Sequence, residues 1–137
     1  MKFNPHNRKL LMLSSIESYY SAIAMIPDGS RRAEQVMARN AIAVALSSWA
    51  DNQQEVAEVL GRDRSTIAHM LLGHEDNLQF WDGYADLHKM AVMIVDNRLS
   101  ASSKADKLAS ITNKIHILEQ EATLLRNELN SIPITQA

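Results

Sequence analysis

The stretch Glu55-Val56-Ala57-Glu58-Val59-Leu60-Gly61-Arg62-Asp63-Arg64-Ser65-Thr66-Ile67-Ala68-His69-Met70 decides how this chain folds. Its pattern predicts two short helices joined by a tight turn. Ala57 is small enough for the helices to cross closely. Gly61, four positions on, suits a left-handed residue that ends the first helix. Ile67 and Met70 would then pack inward against Val56 and Leu60, leaving Arg64, Ser65, Ala68 and His69 outside. Arg64, Ser65, Thr66 and His69 can all hydrogen-bond a base edge or a phosphate, as the second helix of a DNA-reading helix-turn-helix does. An ordinary helix hairpin is the plainer alternative, with Asp63 as a cap and Ser65 in the first turn.

Outward from this unit, helical spacing continues. Leu10, Leu13, Ile16, Tyr20, Ile23 and Ile26 predict a first helix over about 8–26. Pro27-Asp28-Gly29 marks a turn and Ser30 an N-cap. Val36, Ile42, Leu46 and Trp49 form the stripe of a second helix over about 31–50. Asn52 with Glu55 fits a capping box before the third, about 53–60. The fourth helix covers about 64–73. A fifth, about 76–97, carries Leu78, Trp81, Leu87, Met90 and Ile94. A joint at Ser100-Ala101-Ser102-Ser103 separates it from the last segment.

That last segment, 104–132, repeats in heptads. Leu108, Ile115, Ala122 and Leu129 occupy one core position; Ile111, Leu118, Leu125 and Ile132 occupy the other. Four such repeats predict a coiled coil. In a parallel pair Lys114 faces Glu119 of the partner helix and Glu121 faces Arg126. Antiparallel pairing is the other arrangement, and packing back onto its own domain the plainer one. Pro133 ends the helix. The fold class expected is therefore all-α: a helical domain over 1–99 with a helix-turn-helix at about 53–73, then an oligomerisation helix.

Composition narrows the function. With 137 residues, 46% hydrophobic, four glycines and three prolines, the chain suits one helical domain and an appendage. It has no cysteine, so disulfides and thiolate metal sites are excluded. No apolar run approaches the roughly 18 residues of a membrane helix, and the N-terminal apolar stretch Leu10–Leu13 is too short for a secretory signal. A cytoplasmic, nucleoid-associated protein is expected. The net charge of −2 runs against nucleic-acid binding. From Arg31 to Met70 five arginines (31, 32, 39, 62, 64) meet five acids (Glu34, Asp51, Glu55, Glu58, Asp63). Any positive face must come from arrangement.

The residues Leu60-Gly61-Arg62-Asp63-Arg64-Ser65-Thr66-Ile67-Ala68-His69 resemble the signature of the C-terminal DNA-binding domain of DnaA, the bacterial replication initiator. That signature runs approximately Gly-Gly-Arg-Asp-His-Thr-Thr-Val-x-His. Ala38-Arg39-Asn40-Ala41-Ile42-Ala43 is similar to the family's Ala-Arg-x-x-Ala helix, and Arg31-Arg32 sits where the family carries minor-groove basic residues. The likeness covers about residues 30–74. It implies that Asp63, Arg64 and Ser65 approach major-groove base edges. Thr66 and His69 would touch a phosphate or a thymine methyl, Arg31 or Arg32 the minor groove, and Arg39 a phosphate; Arg62 belongs to the same set. Three departures stand out. Arg64 replaces the family's His and Ser65 its first Thr, and since arginine favours guanine O6 and N7, a different target is implied. The loop before the third helix is shorter. No GxxxxGK[ST] phosphate loop is present, so no nucleotide cofactor is expected.

Other chemistry is thinly represented. His69, His74 and His88 do not form an HExxH zinc motif, and His74 is expected at the surface. Asp82, Asp86 and Asp96 lack an accompanying nucleophile and fit a solvated face. Trp49, Phe80 and Trp81 fit helix interiors. Neither enzymatic activity nor a cofactor or metal is expected. The partners expected are double-stranded DNA and a second copy of the chain, with no membrane. A coiled-coil adaptor whose helical head binds another protein is the alternative.

Overall fold

The computed structural model describes residues 5–131, which are entirely without strands and form six helices. These are α1 (Pro5–Ala22), α2 (Ala33–Ser47), α3 (Gln53–Leu60), α4 (Arg64–Leu72), α5 (His74–Phe80) and α6 (Tyr84–Ser131). Contacts divide the chain into two compact units, a head over residues 2–101 and a tail from 102 onward. Helix α6 contributes to both.

The head is built round α2, which packs against α1, α3 and α4. Ala38, Ala41 and Ala45 are buried along it beside Ile42 and Leu46. Small residues here let the neighbouring helices approach closely. Tyr19, Val56, Ile67, Ala91, Val95 and Leu99 complete the same core.

Helix α1 departs from its expected register. Met12, Ser15 and Tyr19 are buried, together with Arg8, whereas Leu10, Leu13 and Ile26 are exposed. Polar residues turn inward because each finds a partner, as burial requires. The Ser15 hydroxyl donates to Leu11 O at 2.7 Å and the Tyr19 hydroxyl to Ala38 O at 2.9 Å. Arg8 reaches the carboxylates of Glu55 and Asp51. The helix also ends at Ala22, short of 26. Met25 N–H bonds Tyr20 O and Ala24 N–H bonds Ser21 O, a Schellman closure with Ala24 at φ +53. No glycine announces that turn.

The expected fifth helix is two helices. Trp81 is extended (φ −100, ψ 106) and Gly83 lies at φ +88, which divides α5 from α6. Conversely, the Ser100–Ser103 joint is helical throughout. It contains no glycine or proline, and serine costs only about 0.5 kcal/mol relative to alanine in a helix.

In the tail, Leu108, Ile111, Ile115, Leu118, Leu125 and Leu129 are all exposed, and Ala122 is half-buried. Ile132 and Pro133 lie outside the described residues.

Candidate nucleic-acid interface

Helix α3 begins where expected. Asn52 is extended, and its Oδ1 accepts from Glu55 N–H at 3.0 Å. The reciprocal half of a capping box is replaced, because the Glu55 carboxylate accepts from Arg8 Nε at 2.5 Å and Nη2 at 2.6 Å. At the other end Gly61 adopts φ +65, with its N–H on Glu58 O and Arg62 N–H on Ala57 O. A Cβ on Gly61 would meet nothing within 4 Å. The glycine is needed for its left-handed backbone, not for space.

Helix α4 then starts at Arg64. Ile67 and Met70 are buried in the core with Val56 and Ala57, and Leu60 is half-buried. Arg64, Ser65, Thr66 and His69 are exposed; Ala68, expected outside, is half-buried. Asp63 occupies the N-cap position by backbone, but its side chain makes no cap hydrogen bond. Its carboxylate stays exposed beside Arg64 and Ser65, rather than being consumed as a cap.

The arm before α2 is braced against this turn. Arg39 Nη2 donates to Ser30 O at 3.0 Å, and Arg62 Nη2 approaches Gly29 O at 3.5 Å. Gln35 holds the same arm from below, donating to Ile26 O and accepting from Asp28 N–H. Asp28 Oδ1 accepts from Ser30 N–H; hydrogen bonding by the Ser30 hydroxyl, then by this N–H, lowers the Asp28 pKa. Tyr20, Gly29, Arg39, Gly61 and Arg62 line a cleft of about 270 Å³ between arm and turn. Burial, then the nearby Arg62 charge, pushes the Arg39 pKa down. Arg31 and Arg32 are exposed at the end of the arm. Thus Asp63, Arg64, Ser65 and Thr66 gather at one helix start, and His69 lies exposed in the last turn of the same helix. Arg39 and Arg62 tie Arg31 and Arg32 to that turn, a bracing role that sequence spacing did not suggest.

Charge is sorted in the same way. Of the five acids between Arg31 and Met70, three are engaged from α1: Arg8 pairs with Asp51 and Glu55, and Lys9 with Glu58. The Arg8 pKa is raised, chiefly by its hydrogen bond to Glu55, and the Glu58 pKa is lowered by Lys9. Among the described residues none of Arg31, Arg32, Arg39, Arg62 and Arg64 is in a salt bridge. Only Glu34 and Asp63 remain of the acids. Arg8 and Lys9 belong to a charged run before the first apolar stripe, which carries no signal of their partners.

A second polar cluster lies where α5 meets α6. His74, expected at the surface, is half-buried with Nδ1 2.7 Å from the Tyr84 hydroxyl, and its ring lies 4.4 Å from that of His88. Tyr84 is fully buried and its pKa is pushed up to about 12 by burial. Burial lowers the pKa of both histidines; the mutual proximity lowers that of His88 further. Among the described residues no three of His, Cys, Asp or Glu converge to hold a metal. Nor is any helix there long and apolar enough to cross a membrane. Compared with protein-family models, curated proteins and solved structures, the chain finds no match. The likeness to DnaA therefore rests on the quoted residues alone.

Proposed function

We propose that the head binds double-stranded DNA sequence-specifically and that the tail pairs heads, as in a dimeric transcriptional or replication regulator of bacterial or phage origin. One observation carries this reading. The neutral count of charges between Arg31 and Met70 is separated in space. Asp51, Glu55 and Glu58 are held by α1, while among the described residues the five arginines round the α4 start and the arm form no salt bridge, Asp28 acting on Arg32 and Arg39 only through its charge. Exposed guanidinium groups without a carboxylate bridge, those of Arg31, Arg32 and Arg64 foremost, suit a phosphate backbone beside a helix start. Arg64, exposed at the start of α4, is the base reader in this scheme, with guanine its preferred edge. Arg31 and Arg32 approach the adjacent groove. Two heads joined by their tails would act through raised effective concentration at paired half-sites.

Selection of bound duplexes from a random pool tests the reading, and an enriched, repeated half-site containing guanine is expected. Arg64→Ala should then weaken the preferred site by about 1–3 kcal/mol while leaving random duplex nearly unaffected. Equal loss on both would remove the base-reading role. Retention that ignores salt would favour the adaptor, since phosphate binding weakens steeply as salt rises.

A further inference from the structure

The cleft between the arm and the α3–α4 turn holds polar groups that the protein itself leaves unused. Arg39 makes one hydrogen bond, to Ser30 O, and Arg62 one, to Gly29 O. Most N–H groups of both guanidinium forks therefore remain open. Among the described residues neither arginine is in a salt bridge. After burial, the charge of Arg62 lowers the Arg39 pKa, so the two cations lie near enough to repel.

Tyr20 is the third group. It lines the cleft and is 7% exposed. Among the described residues its hydroxyl makes no hydrogen bond, although buried polar groups are nearly always paired. No fully buried side-chain polar atom there lacks a partner, so this oxygen opens onto the cleft. Burial raises the Tyr20 pKa, and the charges of Arg39 and Arg62 oppose that rise. The hydroxyl thus lies within reach of both positive charges.

The rest of the lining selects the occupant. Ile16, Pro27, Val59 and Leu60 make apolar walls beside the Tyr20 ring. The volume of about 270 Å³ is just below the ~300–1,000 Å³ of sites for drug-sized molecules, so the occupant is small. Asp28 acts on Arg39 through its charge and offsets one of the two cations. A single negative charge on an apolar body balances what is left. A carboxylate offers two oxygens to a guanidinium fork and accepts from a phenol as well.

We propose that this cleft binds a small organic monocarboxylate with an apolar body, its carboxylate bridging Arg39 and Arg62 and accepting from the Tyr20 hydroxyl. Bridging relieves the repulsion between the cations and fixes the arm to the turn. The site does not depend on the reading of the head as a DNA binder, and it is tested without DNA.

Benzoate and hexanoate are the probes, titrated by calorimetry into the full chain. Saturable binding is expected, with slower amide exchange over residues 28–32. Benzamide, which keeps the ring and loses the charge, should not bind. Inorganic phosphate should bind about tenfold more weakly, having no apolar surface to bury. Tyr20→Phe should weaken both probes about tenfold, the loss of one hydrogen bond to a charged group, and Arg62→Gln should weaken them further. Tyr20→Phe keeps the ring in the core and should melt as the wild type does, so weaker binding there is not a loss of fold. Absence of saturable binding by both probes, benzamide or phosphate binding as tightly as benzoate, or affinity unchanged in both variants would overturn the site.

Discussion

Apolar residues serve opposite ends in the two units. In the head, Ile67 is 0% exposed and locked among Val56, Ala57 and α2. In the tail, Leu108 is 66% exposed along a helix whose apolar columns have no cover. The same residue types thus stabilise the fold in one place and await a partner in the other. The head satisfies its polar groups internally too, and among the described residues no buried side-chain polar atom lacks a hydrogen bond. Burial decides whether a helical stripe counts as core or as surface. Periodicity is common to both.

The largest test of this contrast is Glu55→Ala. It leaves Arg8 buried with only the exposed Asp51 carboxylate, and removing one partner of a buried pair costs about 3–5 kcal/mol. Urea unfolding followed by Trp fluorescence reads the loss; a change below about 1 kcal/mol would show that water enters freely at Arg8. Leu118→Asp probes the other unit. Light scattering should show monomers, while the head keeps its unfolding midpoint. A shifted midpoint would mean that the tail stabilises the head, and the contrast between units would collapse.

A smaller effect separates Gly61 from Ala24, which share left-handed backbone. Gly61→Ala should destabilise by about 1 kcal/mol and Ala24→Gly should stabilise by a similar amount, because a Cβ is strained in that region. Equal and negligible shifts would place no strain at Ala24. The smallest expected effect is pH dependence at the α5–α6 junction. The His74 and His88 pKa values are lowered in the folded state, so the unfolded chain binds more protons. Stability is then full above the ordinary histidine pKa of about 6.5 and falls as pH drops through the folded values. Glu75 opposes this at His74. Amide protection in α5, taken relative to the intrinsic exchange rate at each pH, should fall on acidification, and His88→Asn should flatten the slope; an unchanged slope would move the origin elsewhere.

Much of the head was legible in advance. Helix α3 and the start of α4 match their expected bounds because Asn52 and Gly61 are local punctuation, acting within a few residues. The Ala22 stop was hidden because Ala24 takes a conformation that its identity disfavours. Trp81 and Gly83 divided a stripe that looked continuous, since apolar spacing survives a short break. At the candidate site, the exposure of Arg64, Ser65 and His69 followed from helix periodicity; that of Thr66 and the partial burial of Ala68 did not. The clamps from Arg39 and Arg62 to the arm did not, because their acceptors are backbone carbonyls, which leave no mark on side-chain pattern.

The amino-acid sequence by itself determined an all-helical chain, the turn at Gly61 and the apolar columns of the last helix, since each depends on backbone preference or on spacing within a few turns. Only the tertiary structure decided which charges are neutralised and which stay free. Arg8 and Glu55 lie 47 residues apart. Long-range pairing depends on how helices pack, and in a chain of net charge −2 that packing decides whether a positive face exists at all.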